Sequence, residues 1–319
     1  MKTIILRLAD PDRDFSQIAE LISTQEDEQT SESGLKADYE KHAEQIIRIM
    51  VAGDEREELL GFYWAYRNTT NPDLVTFYLV VKPENRGQSA GRRLYENLVH
   101  TIGEAHVKIL RVSIRDTCPE CRAFAKRRGF NERRRHFPMS LNLETFNEQP
   151  YDETIARLRD EGFQFTSMEA LGNTEEDQHK LYVLNDTASA TTPGQEGEHP
   201  WASFQDFQKN VCQADWYNPG GQMVVIDTAS GGWAAMSAIT RRKGNDYAYN
   251  LFTGVDLPYR GRKLGQAVKV MALCYARDVL KANSVLTHHN TKNLPMIAID
   301  RKLGYRQMPG TILMEKIIK

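Results

Sequence analysis

The sequence predicts a mixed α/β fold in which two similar domains follow one another, each a twisted mixed sheet flanked by helices. At 319 residues the chain exceeds the usual size of one compact domain. Arg86-Gly87 recurs as Arg260-Gly261, an offset of 174 residues (260 − 86), and Gly129-Phe130 recurs as Gly304-Tyr305. The hydrophobic pattern around each Arg-Gly pair indicates strand, loop, helix, strand and helix, in that order.

The elements of each repeat are predicted from local patterns. Runs rich in β-branched and aromatic residues at 76–81 and 251–255 predict the strands that enter the loops. Apolar residues then recur every three or four positions, which predicts an amphipathic helix after each loop. A second strand is expected over 110–114 and 284–289, followed by a second helix. The polar stretch from about residue 142 to residue 152 separates the repeats, so we expect domains at 1–147 and 148–319.

Helix caps and one loop are also predicted. Thr117 and Glu120 fit a capping box around Pro119, and Asn293 can cap the last helix. The segment 187–200, rich in Thr, Gly and Pro, is expected to be a mobile loop.

Composition excludes several classes of protein. Charged residues make up 26% and hydrophobic residues 40% of the chain, as in ordinary globular proteins, and the net charge of −2 favours no nucleic-acid partner. No run approaches the roughly 18 apolar residues of a membrane span, and no secretion signal precedes the first domain, so a cytoplasmic protein without a membrane partner is expected. The oligomeric state is left open.

The four cysteines predict neither a disulfide framework nor a metal site. They are few and scattered, which fits a reducing compartment. Cys118-Pro-Glu-Cys121 has metal-like spacing, but no second pair completes a tetrahedral site. Ordinary polar contacts are therefore expected for this pair.

Each Arg-Gly loop is a candidate anion site. A loop that opens a helix presents unpaired backbone N–H groups, and the helix dipole adds partial positive charge there. Glycine lets phosphate oxygens approach the backbone. A single such loop is explained as well by a tight turn with solvated basic residues, but two aligned copies favour phosphate or pyrophosphate.

The two loops resemble the phosphate-binding motif of the GNAT acetyltransferase superfamily, Gln/Arg-x-x-Gly-x-Gly/Ala. Val81-Lys-Pro-Glu-Asn-Arg-Gly-Gln-Ser-Ala-Gly91 and Val255-Asp-Leu-Pro-Tyr-Arg-Gly-Arg-Lys-Leu-Gly265 carry the resemblance, and the overall plan is similar to tandem members such as mycothiol synthase. The resemblance implies acetyl-CoA as cofactor. The cofactor-binding residues it implies are Val81, Arg86, Gly87, Gln88, Ser89, Ala90, Gly91, Val255, Arg260, Gly261, Arg262, Lys263, Leu264, Gly265, Asn290 and Asn293.

Two departures from the family pattern concern binding and catalysis. Ser89 and Lys263 replace the first loop glycine. The tyrosine that often lies four residues before the final glycine, as general acid, is Ala125 in one copy and Asp300 in the other. Because Asn290 and Asn293 look like the strand-to-helix junction of tandem members, the C-terminal copy is the stronger catalytic candidate.

The predicted chemistry is direct transfer of an acetyl group to a primary amine. An alkylamine is about one part in a thousand neutral at pH 7, so a base is needed. The resemblance places an acidic residue near the start of the preceding strand, where Asp73 and Asp246 lie, although both also suit turns. Tyr249 is a candidate acid or relay, and the resemblance implies the N–H of Val81 or Val255 as a donor to the thioester carbonyl.

We expect the acceptor to be a small molecule. Two alternatives stay open, a noncatalytic acyl-CoA sensor and a protein-lysine acetyltransferase. Four aromatic residues are candidates for lining a substrate pocket at an interdomain cleft, although such residues are more often core. They are Trp201, Trp216, Tyr217 and Trp233.

Overall fold

A computed structural model describes residues 3–24, 30–68, 71–105, 107–194, 196–242 and 244–318. It divides into two compact units, one made of residues 1–135 with 310–319 and the other of residues 136–309. This division differs from the single boundary expected after residue 147. The difference arises because the last strand of the chain completes the sheet of the first unit.

The first unit is a mixed sheet in the strand order β1-β2-β3-β4-β5-β13. Every neighbouring pair is antiparallel except β4 and β5, which are parallel. The strands are β1 (Ile5–Leu8), β2 (Ile46–Gly53), β3 (Leu59–Arg67), β4 (Leu74–Val81), β5 (Ile109–Arg115) and β13 (Thr311–Ile317). The helices are α1 (Pro11–Ser23), α2 (Glu32–Lys41), α3 (Ala90–Glu104) and α4 (Pro119–Lys126). Two separate apolar clusters pack α1 and α2 on one face and α3 and α4 on the other.

The second unit repeats this plan in the order β6-β11-β10-β9-β8-β7, with β12 paired to β6. Its parallel pair is β10 and β11. The strands are β6 (Asn131–Asn142), β7 (Phe163–Ser167), β8 (Gln222–Asp227), β9 (Trp233–Thr240), β10 (Tyr247–Val255), β11 (Ser284–Asn290) and β12 (Arg306–Gln307). The helices are α5 (Gln149–Asp160), α6 (Met168–Leu171), α7 (Glu175–Ala190), α8 (Phe204–Phe207), α9 (Leu264–Asp278) and α10 (Leu294–Leu303). Helices α5, α9 and α10 pack on one face, and α7 and α8 on the other.

The predicted fold class is thus confirmed, and so is the repeated order of elements around each Arg-Gly loop. Two local predictions are wrong. Cys118 rather than Thr117 is the N-cap of α4, because Pro119 is the first residue of the helix, and Cys118 makes no side-chain cap bond. Helix α7 continues to Ala190, so the first part of the expected 187–200 loop is helical.

An ion pair between two partly exposed side chains stabilises the second unit. The Arg277 guanidinium donates two hydrogen bonds, at 2.7 and 2.8 Å, to the carboxylate of Glu148, which precedes α5. These hydrogen bonds lower the pKa of Glu148 from its usual 4.5 to about 2. The pair therefore stabilises the folded unit fully above pH 4.5, and this contribution falls as the pH drops toward 2.

We expect Glu148→Gln to lower the free energy of unfolding at neutral pH by about 1 kcal/mol, a value discounted for the solvent exposure of both side chains. Urea unfolding at neutral pH and at about pH 3 measures the effect, and the difference from wild type should shrink at the lower pH. The matched control is Glu153→Gln, at an exposed position of α5. An equal loss at both pH values would contradict this assignment.

Candidate active site

Each sheet opens between its two parallel strands. In the second unit β10 and β11 pair only from Tyr247 to Tyr249, while β10 stays paired with β9 as far as Val255 and β11 with β6 as far as Asn290. The two strands therefore diverge beyond Tyr249. The Thr287 hydroxyl donates to the Asn250 carbonyl at 3.1 Å, which links the two strands where the opening begins.

The first unit opens in the same way. Strands β4 and β5 pair only over 74–76 with 109–111, and then each follows its outer neighbour. Both units therefore contain a sheet that opens between its two parallel strands.

A backbone N–H points into each opening. In an antiparallel ladder successive N–H groups point to opposite sides of the strand. Because the Asp256 N–H donates to Ala234 on β9, the N–H of Val255 must point away from β9, toward the opening. The N–H of Val81 points into the opening of the first unit for the same reason, since the Lys82 N–H donates to the Leu60 carbonyl on β3. Both valines can thus offer a donor to a carbonyl in the opening, the role predicted for them.

The loops between strand and helix form uncapped, concave turns. Gly87 and Ser89 have φ values of 75° and 75°, and Gly261 and Lys263 have 81° and 68°. Left-handed residues therefore occupy every second position in these turns. This alternation directs successive backbone N–H groups toward a common point, and such a turn suits an anion. Neither α3 nor α9 has a side-chain cap, so a phosphate could accept from the N–H groups of their first turns.

The last glycine of each loop, Gly91 in the first unit and Gly265 in the second, has a packing role. A Cβ at Gly265 would lie 3.0 Å from Val255 Cγ2, and one at Gly91 would lie 3.5 Å from Val81 Cγ2. These positions let the helix approach the end of the strand closely. By contrast, a Cβ at Gly87 or Gly261 would meet no atom within 4 Å, which leaves the space over the turn open to a ligand.

The loop arginines hold the loops in shape. Arg86 Nε donates to the Val81 carbonyl at 3.2 Å, and Arg260 Nε donates to the Val255 carbonyl at 3.1 Å. Arg260 also donates to the hydroxyl of Thr191. The same bond in both units indicates a positioning role, so the main-chain N–H groups are the principal donors left for phosphate.

Other predicted cofactor contacts have local partners. Arg262 donates to Glu161 at 2.9 Å and lies over the Phe163 ring at 4.5 Å. Asn290 accepts from the Lys292 N–H at 3.1 Å, and Asn293 caps α10 by accepting from the Met296 N–H at 3.4 Å. The cap predicted at Asn293 is therefore present, while contacts of these residues with a cofactor stay predictions. Gln88, Ala90 and Leu264 lie in or directly after the same turns.

The candidate catalytic residues lie at different places along β10. Asp246 is exposed and precedes the strand at its closed end, where its carbonyl accepts from the Asn283 N–H at 2.9 Å. Asp73 holds the corresponding place in the first unit and forms an ion pair with Lys108 at 2.8 Å. Tyr249 lies at the start of the opening, and its hydroxyl hydrogen-bonds His288 Nδ1.

A β-bulge distinguishes the second unit. The register of β10 against β9 shifts between Asn250 and Phe252, whereas β4 pairs with β3 without a shift. The Asn250 side chain, 2% exposed, donates to Ser237 at 3.1 Å and to the Ala238 carbonyl at 2.9 Å, and accepts from Thr253 at 3.2 Å. Sequence analysis missed this network, because a bulge has no sequence signal of its own.

The Cys118–Cys121 pair forms a disulfide in the first turn of α4. The expectation of ordinary polar contacts is therefore wrong for this pair. The spacing places the two Cα atoms 5.3 Å apart, within the range that a disulfide spans.

The aromatic candidates for a pocket belong to the packing of the second unit. Trp201, Trp216, Tyr217 and Trp233 all lie against the cluster that packs α7 and α8 on the sheet. A cavity of about 340 Å³ lies instead in the first unit. It is lined by side chains of α1, α2 and the sheet, including Asp38, Trp64, Tyr66 and Tyr78.

Lys263 and Ser89 are strained because they hold the left-handed conformation that favours glycine. We expect Lys263→Gly to raise the free energy of unfolding by about 0.5–1 kcal/mol, provided the loop keeps its shape. Urea unfolding measures it, with Lys281→Gly, at another left-handed position, as a comparison that should gain similarly. A loss of stability in Lys263→Gly would contradict the assignment of strain.

The chain matches a known family over part of its length and resembles solved structures over 99% of it. Residues 15–130 match the model of the acetyltransferase (GNAT) family. A GCN5-related N-acetyltransferase from Sphaerobacter thermophilus aligns with 99% of this chain and 96% of its own, with a TM-score of 0.70 and 17% identity. A tandem GNAT protein from the clavulanic acid biosynthesis pathway aligns with 99% and 98%, with a TM-score of 0.63 and 16% identity.

A third structure is longer. A GCN5-related glucosamine N-acetyltransferase region of a fungal multi-domain β-N-acetylglucosaminidase aligns with 99% of this chain at a TM-score of 0.70 and 14% identity, and this chain spans only 38% of that protein. No curated protein matches the sequence. Within the described part of the chain, no helix could cross a bilayer. The first unit thus carries a GNAT family match, and the whole chain has the tandem GNAT fold.

Proposed function

From the GNAT family match and the tandem GNAT fold, we propose that this protein transfers an acetyl group from acetyl-CoA to a primary amine of a small molecule. The observation that carries the proposal is the opening between β10 and β11 beside an uncapped helix whose loop presents main-chain N–H groups. An anion-binding turn next to a gap between strands suits a ligand with a diphosphate and a narrow, extended arm.

Different groups of the second unit would bind different parts of acetyl-CoA. The N–H groups around Gly261 and Lys263 would hold the diphosphate. Acetyl-CoA supplies an activated thioester carbonyl when bound. The Val255 N–H would polarise that carbonyl, because it points into the opening from the strand end nearest the loop.

We assign the reaction to the second unit because its strand β10 carries a β-bulge, where the Asn250 side chain hydrogen-bonds Ser237 and Thr253. The Thr287 hydroxyl of β11 reaches the Asn250 carbonyl where the opening begins. The first unit has a regular β4 at this place. Asp246 and Tyr249 remain the proposed base and acid or relay, and Tyr249 is the closer of the two to the opening along β10.

An amine panel with detection of released CoA tests the activity. The proposal expects turnover with at least one small primary amine. Tight acetyl-CoA binding without turnover would instead indicate an acyl-CoA sensor, and turnover confined to lysine peptides would indicate a protein-lysine acetyltransferase. The similarity to a GCN5-related glucosamine N-acetyltransferase region supports starting with small amines.

Two glycine variants test which unit holds the cofactor. A side chain at Gly261 would stand in the open space over the turn and strain a left-handed residue, so Gly261→Val should weaken acetyl-CoA binding by at least tenfold. Gly87→Val is the matched control, since its φ and its open surroundings are alike. Isothermal titration gives affinity and stoichiometry. Equal losses would contradict the predicted asymmetry between the units, and a larger loss in Gly87→Val would move cofactor binding to the first unit.

A further inference from the structure

The disulfide of Cys118 and Cys121 is only partly buried, since both residues keep part of their surface in contact with solvent. The other two cysteines are free thiols. Burial raises the pKa of both Cys212 and Cys274 to about 11. Because the thiolate is the reactive form of cysteine, these two thiols are poor nucleophiles at neutral pH and serve as internal references for the pair.

The repeat shows what the position of Cys118 suits. The Gly-aromatic pair recurs at an offset of 175 residues (304 − 129), and at this offset Cys118 corresponds to Asn293 and Cys121 to Met296. Cys118 is the N-cap of α4, and Asn293 is the N-cap of α10. The Asn293 side chain accepts from the Met296 N–H at 3.4 Å, whereas Cys118, whose sulfur is held in the disulfide, makes no cap bond.

A released Cys118 sulfur can take the place that an amide oxygen holds in the second unit. Opening the disulfide leaves this sulfur on the N-cap residue, next to first-turn N–H groups that have no partner within the helix. A thiolate there can accept from these groups, as Asn293 does, and it lies at the positive end of the helix dipole. Such a position favours the thiolate of a Cys-x-x-Cys pair. Cys118 is therefore the better leaving sulfur, and Cys121 is the sulfur that is attacked.

The disulfide lies beside the anion-binding turn of the first unit. Glu120, which stands between the two cysteines, forms an ion pair with Arg86 at 3.1 Å. A Cβ at Gly91 would lie 3.7 Å from the Phe124 ring, so the start of α3 packs against α4. A thiol compound that carries phosphate groups and binds at this turn would therefore be held next to the helix that carries the disulfide.

We propose that Cys118 and Cys121 form a thiol–disulfide exchange site for small-molecule thiols, which acetyl transfer does not use. A first thiolate attacks Cys121 Sγ, so that a new sulfur–sulfur bond forms while the protein disulfide breaks and Cys118 leaves as a thiolate. A second thiolate attacks the small-molecule sulfur of this mixed disulfide and releases Cys121. Two thiols are thus oxidised to one disulfide while the protein pair is reduced. Of their two protons, Cys121 takes up one and water the other.

Reduction of the folded wild type tests the site directly. The full-length protein is incubated with millimolar glutathione at neutral pH, its free thiols are alkylated without denaturant, and its peptides are identified by mass spectrometry. Cys118 and Cys121 should become alkylated together, whereas Cys212 and Cys274 should stay unmodified until urea is added. A disulfide that resists glutathione in the folded protein and opens only in urea would overturn the proposal.

Two single variants test the role of the N-cap. Cys121→Ser leaves the Cys118 thiol at the N-cap, and Cys118→Ser is the matched variant, in which the Cys121 thiol remains and serine can cap the helix. At neutral pH the thiol of Cys118 should exchange with an aromatic disulfide reagent at least tenfold faster than that of Cys121. Equal rates would overturn the assignment of Cys118 as the leaving sulfur.

CoA and pantetheine distinguish two sources of the reacting thiol. They carry the same thiol, but only CoA has the diphosphate that the turn around Gly87 would bind. Faster reduction by CoA, lost in Gly87→Val, would support delivery of the thiol by this turn, and equal rates would support exchange with thiols free in solution. Failure of both compounds to reduce the pair would overturn the site.

The site is tested independently of the proposed function. A wild type that acetylates no amine but exchanges its disulfide with thiols supports the exchange site alone. An active acetyltransferase whose folded disulfide resists every thiol overturns the exchange site and leaves the proposed function in place.

Discussion

Deletion of residues 311–319 is expected to unfold the first unit, although those residues lie almost 200 positions beyond its other strands. Strand β13 pairs with β5 along seven consecutive residues, from Thr311 opposite Arg115 to Ile317 opposite Ile109. Its inward side chains Ile312 and Met314 are 1% and 0% exposed, within the core that packs α3 on the sheet. Loss of each costs about 2–5 kcal/mol, and together they approach the whole stability of a domain.

Ion pairs and polar contacts add to the attachment of β13. Glu315 accepts from Arg111 at 2.6 Å, and Lys316 donates to the Tyr95 hydroxyl at 3.1 Å. These bonds join side chains on the strand to β5 and α3. Removal of β13 therefore leaves both apolar and charged partners without contacts.

Hydrogen exchange by mass spectrometry measures the effect of the deletion. Peptides from β4 and β5 should lose protection, whereas those from β10 should keep it. Met314→Asp should reproduce the loss at a single position, and Ile317→Ser, at a residue 76% exposed on the same strand, is the matched control. Protected β4 and β5 peptides in the truncated protein would contradict the role of β13.

The pairing of β13 with β5, which lies far from it in sequence, is a feature that the sequence could not predict. The repeated Arg-Gly motif predicted two copies of one unit. The same strand-to-helix turn requires the same residue types at the same spacing in both copies. The pattern of Ile312 and Met314 predicts a strand with one buried face, but periodicity does not say which sheet that strand joins. A single boundary at residue 147 was therefore the natural expectation.

The site was predictable where backbone geometry determines residue type. Gly87 and Gly261 hold left-handed turns, and the sequence indicated both. The conformation of Ser89 and Lys263 could be anticipated only from the glycine that the family has there. The Asn250 network and the buried ion pair of Lys269 and Asp300 were missed because their members lie on different strands and helices. Asp300 was interpreted as a lost tyrosine, whereas it lies buried between Lys269 and His289.

Lys269 of α9 and Asp300 of α10 form an ion pair in which the side chains are 1% and 0% exposed, and a double-mutant cycle at these two residues should show the second large effect. Asp300→Leu leaves the ammonium of Lys269 buried without a counter-ion, which should cost about 3–5 kcal/mol of unfolding free energy. Lys269→Met leaves the Asp300 carboxylate buried, but that carboxylate keeps its hydrogen bond with His289 Nε2 at 2.6 Å, so its cost should be smaller. In the double variant both charges are gone, and its stability should lie above that of Asp300→Leu alone.

Urea unfolding of the four proteins gives the coupling energy. Lys302→Met, at an exposed position on the same helix as Asp300, is the control for removal of a lysine. Additive losses would show that the two charges do not compensate each other.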